Sequence, residues 1–299
     1  MGTSSVSNKE IGPEKTEKPL VKSVVDFYTR FKKNKSALIG AYLIIILFLT
    51  AIIGPYVFPL DLKEINYSAK FQTPSLEYWF GTDHHGRDIF GRVIHGLRIT
   101  LIIGLTATVI GGVLGILIGI ISGYYGGKID AIVMRIMDIL LAFPGILMAL
   151  ALISILGANI INVVYAVAIS AIPTFARIVR SSTLEVKNLE YIDAMKALGA
   201  SDIRIIFKHI LPNILSPIIV QASLYIATAV LSASGLSFLG LGAQPPSPEL
   251  GAILSDGKDY MWDSGYIAFF PGAMIVVIVI AFNMLGDGLR DALDPKMKN

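Results

Sequence analysis

Cysteine is absent from all 299 residues, which excludes disulfides, thiol catalysis and cysteine-bearing metal sites. Charge is scarce as well. Asp, Glu, Lys and Arg make up 16% of the chain, where a typical soluble protein carries about 25%. A phosphate-binding loop is missing: Gly126-Gly127-Lys128 lacks both the spacing and the following Ser or Thr that would cradle and complete a nucleotide site, so ATP binding by this chain is not expected. The four histidines and the serines form no hydrolase-like arrangement. The net charge of +3 is too small for nucleic-acid binding, and its basic residues gather at the edges of apolar runs instead.

What is present is hydrophobic length. Apolar residues make up 54% of the chain and the mean hydropathy is +0.67. Since about twenty apolar residues span a bilayer, six spans are expected, near Ala37–Val57, Ile99–Ser122, Ile132–Leu156, Ile160–Ala176, Ile214–Leu239 and Ile267–Leu285. The first is too long for a signal peptide and no small-residue cleavage site follows it, so it is expected to be retained. Of the 25 Lys and Arg residues, 19 fall on the side of the N-terminus. By the positive-inside rule both termini are then cytoplasmic. Residues 1–19 are polar and read as a disordered leader. Leu20, Val21, Val24, Val25, Tyr28 and Phe31 recur at helical spacing beside Lys22, Arg30, Lys32, Lys33 and Lys35, which fits an interfacial amphipathic helix or, alternatively, a basic tail. Residues 20–60 thus hold this helix and the first span, 61–98 an extracytoplasmic connection, 99–289 a core of five spans, and 290–299 a cytoplasmic tail.

The longest polar interruption inside the core runs from Arg177 to Asn213. It reads as two short helices. Asn188 can cap the first, whose opening turns carry Glu190 and Asp193 near the positive end of the helix dipole. Gly199 stands where a helix C-terminus favours positive φ. Ser201 can cap the second, which should stop near Pro212. Tyr191, Ile192, Met195 and Leu198 would supply apolar contact area, and Ala194 and Gly199 close backbone approach, if the loop docks on a partner; the bland alternative is a loop lying on the membrane.

Other residues stand out against the apolar background. Gly111, Gly115, Gly119 and Gly123, four apart, form a small-residue ridge suited to close helix packing in lipid. Pro144, Pro173, Pro217 and Pro271 lie within or at the ends of spans and can kink them. Arg135 and Asp138 are spaced for an i,i+3 ion pair. Gln221, Ser232, Ser234 and Asn283 can line a hydrated path or bridge helices. His84 and His85 invite a metal reading, but adjacent histidines lack helical ligand spacing, so a polar interfacial loop is the better expectation and no metal site is assigned. Asp83, Arg87, Asp88 and Arg92 are expected to pair with one another or cap a helix.

Several of these segments together resemble a known family. Asp193-Ala194-Met195, Gly199, His209 and Leu211-Pro212 are similar in spacing to the coupling-loop signature of ABC importer permeases. Gly81-Thr-Asp-His-His-Gly-Arg-Asp88, Gly96-Leu-Arg-Ile-Thr-Leu101, Met134-Arg-Ile-Met-Asp138, Ala142-Phe-Pro144, Gly235-Leu-Ser-Phe-Leu-Gly-Leu-Gly242 and Gln244-Pro-Pro246 resemble the C-type permease of the dipeptide, oligopeptide and nickel branch. Leu250-Gly251 departs from that branch's Trp-Gly. The resemblance implies an all-α membrane protein of the type I ABC importer permease fold, with six transmembrane helices and a cytoplasmic coupling-helix loop in the plasma membrane of a bacterium or archaeon. It implies a second homologous permease, two cytoplasmic ATPase subunits carrying ATP and magnesium, and an extracytoplasmic substrate-binding protein, with no cofactor in this chain. The implied cargo is a dipeptide or oligopeptide, with nickel or an oligosaccharide as the alternative. A stand-alone channel or membrane scaffold is the remote alternative.

Overall fold

The computed structural model describes residues 28–61 and 65–293; the expected leader, most of the expected amphipathic helix and the last six residues lie outside the described residues. The described chain is helical, with α1 Lys35–Val57, α2 Ile89–Tyr125, α3 Gly127–Leu141, α4 Gly145–Leu156, α5 Ile160–Lys187, α6 Glu190–Ala197, α7 Asp202–Ile205, α8 Leu211–Asn213, α9 Leu215–Phe238, α10 Leu250–Gly257 and α11 Tyr266–Leu293. Five helices (α1, α2, α5, α9 and α11) are long and apolar enough to cross a membrane.

The expected third span is the one that changes character. It is not a continuous helix over Ile132–Leu156 but two helices, α3 and α4, meeting at 89°. Pro144 is the reason. It disfavours helical backbone at Phe143, and with φ −54° and ψ 129° it serves as the N-cap of α4. The second span also departs from expectation, since α2 begins ten residues before Ile99. At about 1.5 Å per residue its 37 residues reach well beyond a hydrocarbon core of about 30 Å. Asp88 starts it by accepting from the Phe90 and Gly91 backbone N–H groups at 3.2 and 2.8 Å. Hydropathy cannot register helical turns that lie outside the lipid.

The glycine ridge of α2 lies against α5. A methyl group added at Gly111 would stand 2.4 Å from the Ala168 carbonyl oxygen, at Gly115 2.5 Å from Phe175 Cβ, at Gly119 2.6 Å from the Ala176 carbonyl oxygen, and at Gly123 2.8 Å from Thr183 Cβ. The two backbones therefore meet along four successive turns, where dispersion contacts are densest.

At the end of the bundle remote from α6, polar groups close the structure. Asp83 is buried and accepts from Arg87 Nε at 2.6 Å and from the His85 and Arg87 backbone N–H groups at 2.8 and 3.0 Å. Burial pushes its carboxyl up, but these hydrogen bonds and the Arg87 and Arg92 charges outweigh burial and hold it below the usual carboxylate range. Arg92 completes the cluster with longer ion pairs to Asp83 and Asp256, so the expected mutual pairing is present with Asp256 added. Glu249, which the sequence reading did not single out, is fully buried. It accepts from the Thr100 and Ser234 hydroxyls at 2.9 and 3.2 Å and from the Ala252 N–H at 3.0 Å, tying α2, α9 and α10 together.

The seam and the carboxylate latch each give a test. Gly115→Ala is expected to lower stability by about 1–3 kcal/mol through overpacking, whereas Gly112→Ala, whose added methyl meets Phe175 at an ordinary 3.5 Å, should be near neutral; thermal unfolding of the purified protein in detergent compares them. Glu249→Gln, which keeps acceptor oxygen, should be milder than Glu249→Ala, which strands two buried hydroxyls at a cost of about 1–3 kcal/mol.

Candidate functional site

The polar segment between α5 and α9 folds into a knob with a buried base and an exposed crown. Its first helix, α6, starts differently from expectation: Leu189 is the N-cap and offers no side-chain hydrogen bond, while Asn188 ends α5 instead. The C-terminus follows the expected rule. Gly199 has φ 79°. The Ala200 N–H bonds to the Met195 carbonyl at 3.0 Å and the Gly199 N–H to that of Lys196 at 2.9 Å. That is a Schellman closure, which satisfies carbonyls that α6 would otherwise leave unpaired. Ser201 occupies the N-cap position of α7 without a side-chain cap bond.

Beyond α7 the helical path does not stop near Pro212 but changes pitch. Ile206–Ile210 form one π turn, followed by α8, in which Pro212 sits in the first turn. Proline has no N–H to offer the Lys208 carbonyl. The Leu211 N–H reaches back to Ile206, and the Asn213 side-chain amide donates to the His209 carbonyl at 2.6 Å. The wider turn absorbs the missing donor without breaking the direction of the chain.

The base of the knob is one apolar cluster. Ile192, Ile205, Ile210 and Ile214 are buried with Ile120 and Tyr124 of α2 and Val179 of α5; Met195, Ala200 and Leu211 pack against them. Ile192 therefore cannot serve as partner contact area, because side chains three and four positions apart on a helix share a face and this face, with Met195, points inward. Polar ties reinforce the seat. The Tyr124 hydroxyl donates to Asp202 Oδ1 at 2.7 Å, and Asn213 donates to the Tyr191 hydroxyl at 3.3 Å. Beside the knob, Arg180 of α5 grips Asp130 of α3 with a two-pronged guanidinium fork, and the Ser122 hydroxyl also donates to Asp130.

The crown is apolar and open. Leu198 is 84% exposed, Ile203 70% and Phe207 62%, with Tyr191 and Leu189 beside them. Asp193, Ala194 and Pro212 are exposed too. Asp193 pairs with Lys196 at 3.2 Å on the exposed surface, a contact of little energetic weight. Sequence reading named Leu198 and Tyr191 but missed Ile203 and Phe207, whose four-residue spacing on the second helix was the available signal.

The remaining candidates separate. Asp138 pairs with Arg177 of α5 at 2.5 Å, not with Arg135; α3 is bound to α5 through this contact. Gln221 and Ser232 line cavities on one side of α9. Ser234 faces the other way into the Glu249 latch, and Asn283 is exposed on α11, away from the described cavities. His84 stacks on Tyr260 with ring centroids 5.2 Å apart, and burial lowers its pKa below the usual imidazole value. Among the described residues no three His, Asp or Glu side chains gather closely enough to hold a metal ion.

Comparison with known proteins places this architecture. Residues 115–299 match the family described as binding-protein-dependent transport system inner membrane component, and residues 24–74 match the N-terminal transmembrane domain of oligopeptide transport permease C. The dipeptide transport system permease protein DppC of Alkalihalophilus pseudofirmus is 47% identical over 272 residues, covering 91% of this chain and 90% of that protein. The glutathione transport system permease protein GsiD of Escherichia coli is 47% identical over 274 residues, with the same coverage. In fold, the chain is similar to an inward-facing structure of the MetNI methionine ABC transporter, with a TM-score of 0.57 at 22% identity, covering 69% of this chain and 98% of that one. The chain thus belongs to the binding-protein-dependent transport system inner membrane components, as a C-type ABC permease.

Proposed function

We propose that this chain is one of two permease subunits of an ATP-driven importer, that the α6 knob is the part on which a cytoplasmic ATPase docks, and that the cargo is a dipeptide or oligopeptide. The observation that carries the docking assignment is the split of the knob into a base locked onto α2 and α5 and an apolar crown of Leu198, Ile203 and Phe207 without cover. Exposed apolar area rimmed by charge marks a protein contact. A rigid seat lets force applied at the crown reach the bundle. The cargo assignment rests on the dipeptide and glutathione permeases at 47% identity. A substrate-binding protein would deliver the peptide from the opposite face, and a second permease would complete the route. ATP and magnesium belong to the docked subunits, and ATP-driven closure of those subunits would bias a two-state permease pair.

Purification through a tag on this chain, from its native membrane, is expected to recover a second permease, ATPase subunits and a peptide-binding protein. Recovery of the chain alone in several mild detergents would favour a self-sufficient channel or scaffold. Nickel or a sugar on the co-purifying binding protein would replace peptide as the cargo.

Substitutions in the knob sharpen the assignment. Leu198→Asp and Phe207→Asp should abolish ATPase capture while leaving the permease folded, whereas Ile192→Asp should unfold the knob itself; pull-down and limited proteolysis distinguish the two. Gly199→Pro should abolish transport with the chain still inserted. Gly199→Ala meets no steric obstacle but places a β-carbon at φ 79°, costing the knob about 1–2 kcal/mol. Asp193→Glu should be nearly silent and Asp193→Lys damaging in uptake assays; equal activity would remove any role for the charge.

A further inference from the structure

Polar side chains on α9 are not scattered. Gln221, Tyr225, Thr228 and Ser232 follow one another at intervals of four, three and four residues, which keeps them on a single helical face. Two cavities open along that face in file. The one nearer mid-bundle, about 230 Å³, is walled by Thr228, Ser232 and Tyr225 of α9, by Ser170 and Thr174 of α5, and by the apolar α3–α4 elbow around Phe143. The next, about 390 Å³, is lined by Gln221, Ser216 and Ile178 and reaches Arg290 of α11.

The hydrogen bonding of these groups divides them: Ser170 donates to the Ala166 carbonyl at 2.9 Å and Tyr225 to that of Val167 at 3.2 Å, while four others lack such a bond. Thr108, Ser154 and Ser223 each donate to the carbonyl four residues back on their own helix, which satisfies them within an apolar surrounding. Thr174, Gln221, Thr228 and Ser232 have no hydrogen-bond partner among the described residues, although all lie along the transmembrane stretch of their helices. Unpaired polar groups cost free energy in lipid, so a row of them facing hydrocarbon is disfavoured. Thr106 and the buried Thr183 are also unpaired, but they stand apart from the row, Thr183 against the α2–α5 seam and Thr106 singly on a face of α2 whose neighbours Ile102, Val109 and Val113 are exposed and apolar. Alignment, not mere presence, distinguishes the α9 row.

We propose that the Gln221–Thr228–Ser232 row, with Thr174 opposite, is this chain's wet wall of the transport route, and that it takes the backbone amides of the passing peptide. The proposal rests on the importer reading above and deepens it. The chemistry that favours backbone recognition is the lining itself. Hydroxyls and a carboxamide can donate and accept, matching a peptide N–H and C=O in either direction. No charged side chain lines the mid-bundle cavity, so it offers nothing to select a cargo side chain by charge. At mid-bundle the lining reads only what all peptides share, which admits many sequences; the charge along the row is Arg290, at the second cavity.

The lack of cysteine makes the test direct, since a single introduced thiol is the only one on this chain. In the complete assembly in proteoliposomes, Thr228→Cys and Ser232→Cys are expected to react with a charged, membrane-impermeant methanethiosulfonate, read by mass on this chain. A saturating transported dipeptide should protect them, and labelling should abolish the uptake measured before it. Thr106→Cys should react with a lipid-soluble maleimide alone. Gln221→Cys provides a second point on the row if either hydroxyl position prevents assembly. Row cysteines that respond only to the lipid-soluble reagent would place the face against lipid and overturn the inference, and labelling without protection by peptide would overturn the cargo contact. Failure of the unsubstituted assembly to take up peptide on ATP addition would instead defeat the importer reading itself.

Discussion

Backbone contact between α2 and α5 is the constraint on which the rest of this structure depends. Gly111, Gly115, Gly119 and Gly123 leave no side chains between the two helices, so their axes are held at a spacing that no larger residue permits. In lipid the hydrophobic effect does not drive one apolar helix onto another, and association relies on dispersion contacts and hydrogen bonds. A four-turn seam of main-chain contact supplies the former without rotamer entropy, since glycine has none to lose. The result is a stiff pair to which the remaining parts attach.

Those parts attach at both ends. On one side, Tyr124 and Ile120 of α2 and Val179 of α5 form the seat of the α6 knob, and Asp202 is bound directly to Tyr124. Arg180, one turn before Thr183 at the end of the seam, holds α3 through Asp130, and Arg177 holds it again through Asp138. Opposite, Thr100 of α2 binds Glu249 and so fixes α10. A displacement of the knob therefore cannot be absorbed locally: the apolar cluster and the ion pairs carry it into α2, α5 and α3 together. The elbow between α3 and α4 is where such motion can be taken up, because no helical hydrogen bonds cross it in register.

Hydrophobic length and small-residue spacing made most of this architecture legible in the sequence: the long helices, the seam, the positive φ at Gly199 and the polar knob all follow from local rules. What escaped was tertiary. Pro144 was visible as a potential kink, but whether a proline bends a helix slightly or ends it depends on neighbours, and at Pro271 the helix continues while at Pro144 it turns through 89°. Arg135 and Asp138 satisfied an i,i+3 rule, yet Arg177 on the adjacent helix competes for the same carboxylate and takes it. Ile192 and Leu198 looked equivalent as apolar positions of one short helix, and only packing shows that the first is structural anchor and the second open surface. Glu249 gave no signal, since an isolated carboxylate in a proline-rich loop reads as solvated until its two hydroxyl partners arrive from 149 residues before and 15 residues before it.

The same difficulty explains why α9 could not be read in advance, and why it is the most informative helix once seen. Ser232 and Ser234 are two residues apart, chemically identical, and about 200° apart around the axis. One belongs to the unpaired row along the cavities, the other to the fully buried Glu249 latch. The helix thus joins two environments across its own diameter: a face whose polar groups are satisfied internally and must not lose their partners, and a face on which Tyr225 is bonded to Val167 while Gln221, Thr228 and Ser232 lack partners among the described residues. Any rotation that withdrew Ser232 from the cavity would drag Ser234 off a buried carboxylate, which is costly. Translation along the axis would stretch the same Ser234–Glu249 bond unless α10 moved with α9, and the π turn at Ile206–Ile210, with the irregular Ile214, lies just before α9. The polar groups on the two sides therefore restrict which motions of α9 are cheap: those that carry α10 along with it.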